Sequence, residues 1–289
     1  MKKNLFFLPM AFLFASSASS FDWPQSTVVQ SDQFYSYFGQ NRGETISNSL
    51  IFSDPSEVKA AEDGFVSIII GDYQDENDFF PSTLGNAFII NHNDGLLTVY
   101  GNIDQSSVEK DFSEFAEIEK GTIIGLSGNT AWQQGHSSLE FQVIDIKNNT
   151  AINPRLLMPR VGKELPLYYQ EVYLYNKKGN RFKLGPQNVI PAGSYKVYKK
   201  RQQIAVPYST SIFINGTLVD KISYELLRQE DNLICVTGNK NYTKQLLYPD
   251  EDLMLLGELT LTPGKSSLQL TLTDILGKEA PAIYILSVY

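Results

Sequence analysis

One cysteine, Cys235, and two histidines, His92 and His136, are all that the 289 residues offer in thiolate and imidazole ligands. A lone cysteine excludes an internal disulfide and any zinc site built on thiolates. Cys235 sits in the apolar stretch Leu233-Ile-Cys-Val236, the setting of a small buried hydrophobe rather than of a reactive thiol, which needs electropositive neighbours. Basic residues are also short, 24 against 32 acidic ones, for a net charge of -8. A chain without Lys and Arg clusters is a poor partner for nucleic acid or anionic membrane surfaces. P-loop and dinucleotide fingerprints are missing. Ser127, in Gly-Leu-Ser-Gly, lacks the G-x-S-x-G elbow and a histidine partner, so it reads as a turn serine. The acidic run 73–78 reads as a solvated face.

What is present is a hydrophobic content of 42%, enough for two domains that each bury a core. Lys2 and Lys3, the apolar run 5–15 and the small residues Ala18-Ser19-Ser20 follow the order of a secretory signal peptide, cleaved after Ser20. The run is too short to span a bilayer comfortably, and no cysteine follows it to carry a lipid. Loss of the two lysines takes the mature chain from -8 to -10. The expected location is the periplasm or the exterior, with no stable membrane insertion after cleavage.

Residues 21–160 read as short strands and turns. Val66 to Ile70, Ala87 to Asn91 and Leu96 to Tyr100 are β-rich runs, and Asn91-His-Asn-Asp-Gly95 joins two of them as a hairpin. His92 is read as a turn or surface residue. Between Gly71 and Gly85 runs a polar loop that contains Phe79 and Phe80, long enough to be a lid or a binding edge. Glu109 to Glu119 is either a short helix or a charged loop. Prolines 154 and 159 close this domain. Residues 166–289 alternate strands and turns, with Asn215-Gly216 as a hairpin signal, in the manner of an immunoglobulin-like β-sandwich. The fold class expected is all-β, mainly antiparallel, with the two domains folding independently.

Several motifs in the first domain carry a resemblance. Gly121-Thr-Ile-Ile-Gly125, then Leu-Ser-Gly128-Asn-Thr and Leu139-Glu-Phe-Gln-Val143, resemble the late motif GxxIGxxGNTG...HLHFEV of the lysostaphin/LytM-type zinc peptidases, family M23. Phe38-Gly39 with Arg42, the run from Val58 to Val66, the strand 86–92 and Thr98-Val-Tyr100 match further landmarks over about 120 residues, an ordinary domain size. The resemblance implies an M23/LytM-like β-sheet domain and, in active members, zinc held by HxxxD and the second histidine of HLH. Those three metal positions fall here on Thr45, Ser49 and Glu140, and the two assisting histidines on Asn102 and Ser138.

None of the five expected side chains is kept. Hydrolytic zinc needs three imidazole, thiolate or carboxylate ligands and an open position, and Glu140 alone supplies one. If His136 to Gln142 is one strand, His136 and Glu140 share a face but lie roughly 13 Å apart. The expectation is therefore a degenerate M23 domain without cofactor, which binds peptidoglycan or docks on a cell-wall hydrolase, as degenerate members of the family do. An active zinc endopeptidase with a divergent site is the runner-up, and a structural adaptor that acts through the β-sandwich the third reading. Asn102, Ser138 and Glu140 are expected to line an open groove, with His136 at its rim and Phe79 and Phe80 as further binding candidates.

Overall fold

The computed structural model describes residues 21–25, 31–72, 82–108, 112–113, 115–133, 137–160, 162–203 and 205–289. Residues 1–20, expected to be a signal peptide, Phe79, Phe80 and His136 lie outside them. The described chain is almost wholly antiparallel β-structure, with a single turn of α-helix among the described residues, Lys244–Leu247. No helix among them is long and apolar enough to cross a membrane.

One sheet runs through both halves. In the first half the strand order is Glu117–Ile118, Gly64–Ile70, Ala87–Asn91, Leu96–Gly101, Glu140–Asp145 and Thr150–Ile152. The Asn91 to Gly95 turn makes the expected hairpin between the third and fourth of these. Phe34–Ser36 and Leu50–Phe52 attach to the same sheet through Glu140–Asp145. Thr150–Ile152 then pairs with Thr217–Glu230, and Ser209–Ile214, Gly264–Thr273, Glu279–Val288 and Asn188–Ile190 continue the sheet, the last pair parallel. A four-stranded sheet, Arg181–Lys183, Val172–Asn176, Gly193–Lys200 and Leu253–Leu261, packs on this second part. Leu174 and Val197 from one layer meet Ile212, Leu268 and Leu270 from the other in its core.

Three details depart from the sequence reading. The 14-residue strand Thr217–Glu230 falls between two predicted strands, and it is the one that joins the halves. The Glu109 to Glu119 stretch contributes a two-residue strand at the sheet edge and no helix among its described residues. His92 does lie in its turn but not at the surface: it is buried, with Nδ1 2.8 Å from the Asp63 carbonyl and Nε2 2.8 Å from the Thr98 hydroxyl. Imidazole can satisfy both neighbours at once, which makes a buried position tolerable.

Independent folding of the halves, expected from the bracketing prolines, does not match the packing. The first core contains Phe52, Phe88, Tyr100 and Phe141 together with Tyr224, Leu227, Val236 and Tyr248 from beyond residue 166. The Asn153 side chain donates to the Tyr224 carbonyl at 3.2 Å, and its backbone N–H to Glu225 O at 2.8 Å.

Candidate functional site

The five positions at which zinc-peptidase chemistry was sought divide into three groups. Glu140 opens the strand Glu140–Asp145. Its neighbour Leu50–Phe52 carries Ser49 to the same place, immediately ahead of its first residue. Thr45 lies apart, exposed on the two-residue strand Thr45–Ile46. Asn102 and Ser138 meet each other rather than an open cleft: the Asn102 amide donates to the Ser138 carbonyl at 2.8 Å.

The cation at the centre of this cluster is a guanidinium. Arg42 Nη1 donates to Glu140 Oε1 at 2.6 Å and Nη2 to Oε2 at 2.9 Å, the parallel fork of a bidentate pair. Nη1 also lies 3.3 Å from the Ser49 hydroxyl, so the arginine bridges two of the three positions assigned to metal ligands. Gln133 donates to Glu140 Oε2 at 3.2 Å and Gln142 to Oε1 at 3.4 Å, which leaves the carboxylate enclosed by donors. Burial works to raise the Glu140 carboxyl, but the hydrogen bonds and charge of Arg42, with Ser49 and Gln133, outweigh it and hold the group below the usual carboxylate range. The hydrogen bond to Glu140 raises the Arg42 guanidinium, against the opposing effect of burial.

A short hairpin puts Arg42 there. Asn41–Arg42 pairs with Thr45–Ile46 across a two-residue turn in which Gly43, at φ +59°, takes the left-handed backbone that a side chain disfavours. At its base, Gly39 N–H donates to Ser47 O and Ser47 N–H to Gln40 O, both at 2.8 Å. The second half of the chain holds this hairpin from outside. Tyr248 Oη donates to the Gly39 carbonyl at 2.7 Å, the Gln40 amide to Gln203 O at 2.9 Å, and the Asn41 amide to the Glu251 carboxylate at 3.2 Å.

Asn102 is the other organising residue. Its φ of +65° is one that asparagine tolerates better than most residues. Its Oδ1 accepts from Thr130 N–H at 2.7 Å and Ala131 N–H at 2.9 Å, while Nδ2 also reaches Gln133 Oε1 at 3.2 Å. An amide can donate and accept at once, so it binds the turn after Gly128 to the strand that bears Glu140.

The open groove expected over Asn102, Ser138 and Glu140 is therefore corrected. The three residues are 0%, 1% and 2% exposed, because each has a protein partner where a wet cleft would offer water. The cost of such burial is avoided by pairing, as buried polar groups require. Sequence reasoning weighed Arg42 only as a landmark of the resemblance, and it missed Gln133 and Gln142. A cation 98 positions away from Glu140 has no local signal in sequence.

Zinc does not fit the residues present. Two hydroxyls and one carboxylate already paired with guanidinium make a poor donor set, and Thr45 is not gathered with the others. Among the described residues no group of three or more His, Cys, Asp or Glu side chains is placed to hold a metal ion.

Comparison with known proteins bears on this region first. A model described as peptidase family M23 matches residues 45–154, and a second one, which carries no description, matches residues 166–289. An uncharacterized protein of Treponema pallidum (strain Nichols) is 32% identical over 124 residues, 40% of this chain and 81% of its own length. Among solved structures, a zinc containing peptidase from Vibrio cholerae is similar at 22% identity and a TM-score of 0.34, over 43% of this chain and 36% of that one. The catalytic domain of a mutant prophage-encoded M23 protein, EnpA from Enterococcus faecalis, is similar at 19% identity and a TM-score of 0.35, over 46% and 93%. The complex of SpoIIIAH and SpoIIQ gives 21% identity and a TM-score of 0.33, over 48% and 90%.

Proposed function

We propose, from the premise that this chain belongs to peptidase family M23 through its residues 45–154, that it is a non-hydrolytic cell-envelope protein that binds peptidoglycan instead of cutting it. The observation that carries this reading is the bidentate Arg42–Glu140 pair. A hydrolytic metal centre needs an exchangeable position for water. Here the positive charge is covalently part of the protein, it is paired with Glu140 and bonded to Ser49, and it cannot polarise a water into a nucleophile as a metal does. The family's sheet supplies a rigid frame, so contact with the wall is the activity left to it.

Two further elements belong to the same proposal. The segment 1–20 has the pattern of an export signal, which delivers the mature chain to the compartment where peptidoglycan lies. The two packed β-layers of residues 166–289 are read as an immunoglobulin-like sandwich that supports the M23 half.

Co-sedimentation with purified sacculi, together with analysis of the soluble fraction for released muropeptides, tests this reading. Sedimentation with the sacculi and no released fragments is the expected result; failure to sediment, or release of fragments that chelator suppresses, overturns it.

A further inference from the structure

The chain of amides that begins at Glu140 leads outward. Gln142 donates to Glu140 and accepts from Asn48 at 3.3 Å, and Asn48 stands in the wall of a groove of about 470 Å³ along the seam between the two halves. This volume lies in the range of small-ligand sites. The floor is apolar, with Ile144 from one half and Leu233 and Ile234 from the other, and Leu233 is exposed. The charged residues of its lining are Arg228, Lys244 and Glu44, a net of one positive charge. Arg228 is exposed and forms no ion pair among the described residues. Lys244 has only Glu44, 4.0 Å away on a side chain that is 97% exposed, a contact weak enough to exchange for a ligand.

A floor that takes small apolar side chains, a wall of amide groups, the exposed Arg228 and a Lys244 held only by an exposed Glu44 describe the complement of a short peptide with free carboxylates. A larger groove of about 910 Å³ on the four-stranded sheet, lined by Tyr175 and Tyr198, lacks this bias, since Lys196 faces Glu258 in register across it. We propose that the seam groove binds a short carboxylate-bearing peptide, the chemistry of a peptidoglycan stem, with Arg228 and Lys244 taking the carboxylates. The proposal rests on the cell-wall reading above and gives it a site distinct from the filled one. Thr45, excluded from the old cluster, is part of this groove's lining.

Titration calorimetry with a synthetic stem tetrapeptide, and with the same peptide amidated at its carboxylates, tests it on the full mature chain. Binding of the free peptide is expected, at least tenfold weaker for the amidated peptide and for the double variant Arg228→Gln, Lys244→Gln, whose melting temperature should stay unchanged. Equal affinity for the two peptides, full binding by the double variant, or no binding of the tetrapeptide by the wild type overturns the proposal. Sedimentation with sacculi by a protein that ignores the tetrapeptide overturns the groove alone and leaves the cell-wall reading standing.

Discussion

The strands Ala87–Asn91, Leu96–Gly101 and Glu140–Asp145 and the hairpin between Gly39 and Ser47 lie against one another, yet they carry different histories in their residues. The strands keep motifs that resemble those of the zinc peptidases, and they pair with Glu140 opposite Gly101 and Phe141 opposite Tyr100. The hairpin keeps the landmark residues Gly39 and Arg42 but not the ligand type at Thr45, and its Arg42 pairs with Glu140. The contrast teaches that a sheet is specified by many distributed apolar contacts, whereas a metal site depends on a few side chains that one segment can replace.

The largest test of the comparison is to remove the support of the hairpin altogether. A chain truncated to residues 21–165 loses Tyr224, Leu227 and Tyr248 from its core and the partner of Thr150–Ile152. It should lose cooperative unfolding by circular dichroism; a sharp transition near that of the full chain would show that the first half stands alone. Next in size, Arg42→Ala leaves Glu140 charged and buried, which costs about 3 kcal/mol by denaturant unfolding. Arg42→Met combined with Glu140→Leu should recover most of that loss, since a buried ion pair exchanged for apolar residues is often neutral.

Gly39→Ala sharpens the role of the second half. The backbone there has φ +83°, and a Cβ would meet Tyr224 Cδ1 at 2.5 Å, so roughly 2 kcal/mol should be lost in melting experiments. An unchanged melting temperature would detach the hairpin from Tyr224. The smallest effect is on pH dependence. Because the folded Glu140 carboxyl is held below its unfolded value, its contribution is present above about pH 4.3 and is lost as pH falls through the lower folded value. The fall in melting temperature from about pH 5 to about pH 3 should be shallower in Glu140→Gln than in the wild type; equal slopes would remove Glu140 from the account.

The legible parts of the fold are those with local signals. Asn91 to Gly95 and Asn215-Gly216 announce their hairpins, and the runs 66–70, 87–91 and 96–100 become strands with at most two residues added. Thr217–Glu230 escaped because its inward alternation includes Asp220, whose carboxylate accepts from Tyr242 Oη at 2.8 Å and Glu258 N–H at 2.7 Å. An irregular register between Ser223 and Leu227 breaks the period further. At the site, the loss of ligand types at Thr45, Ser49 and Glu140 was readable from the chain. The partner of Glu140 was not, since Arg42 lies 98 positions away and only the folded sheet brings the two together.

The claim that the Arg42–Glu140 pair leaves no zinc site is tested most directly by elemental analysis of the mature protein after equilibration with zinc and removal of the free ion. The account predicts far less than one zinc per chain, in the wild type and in Thr45→Ala alike. One zinc per chain, retained through gel filtration and lost together with Glu140 in Glu140→Gln, would contradict it.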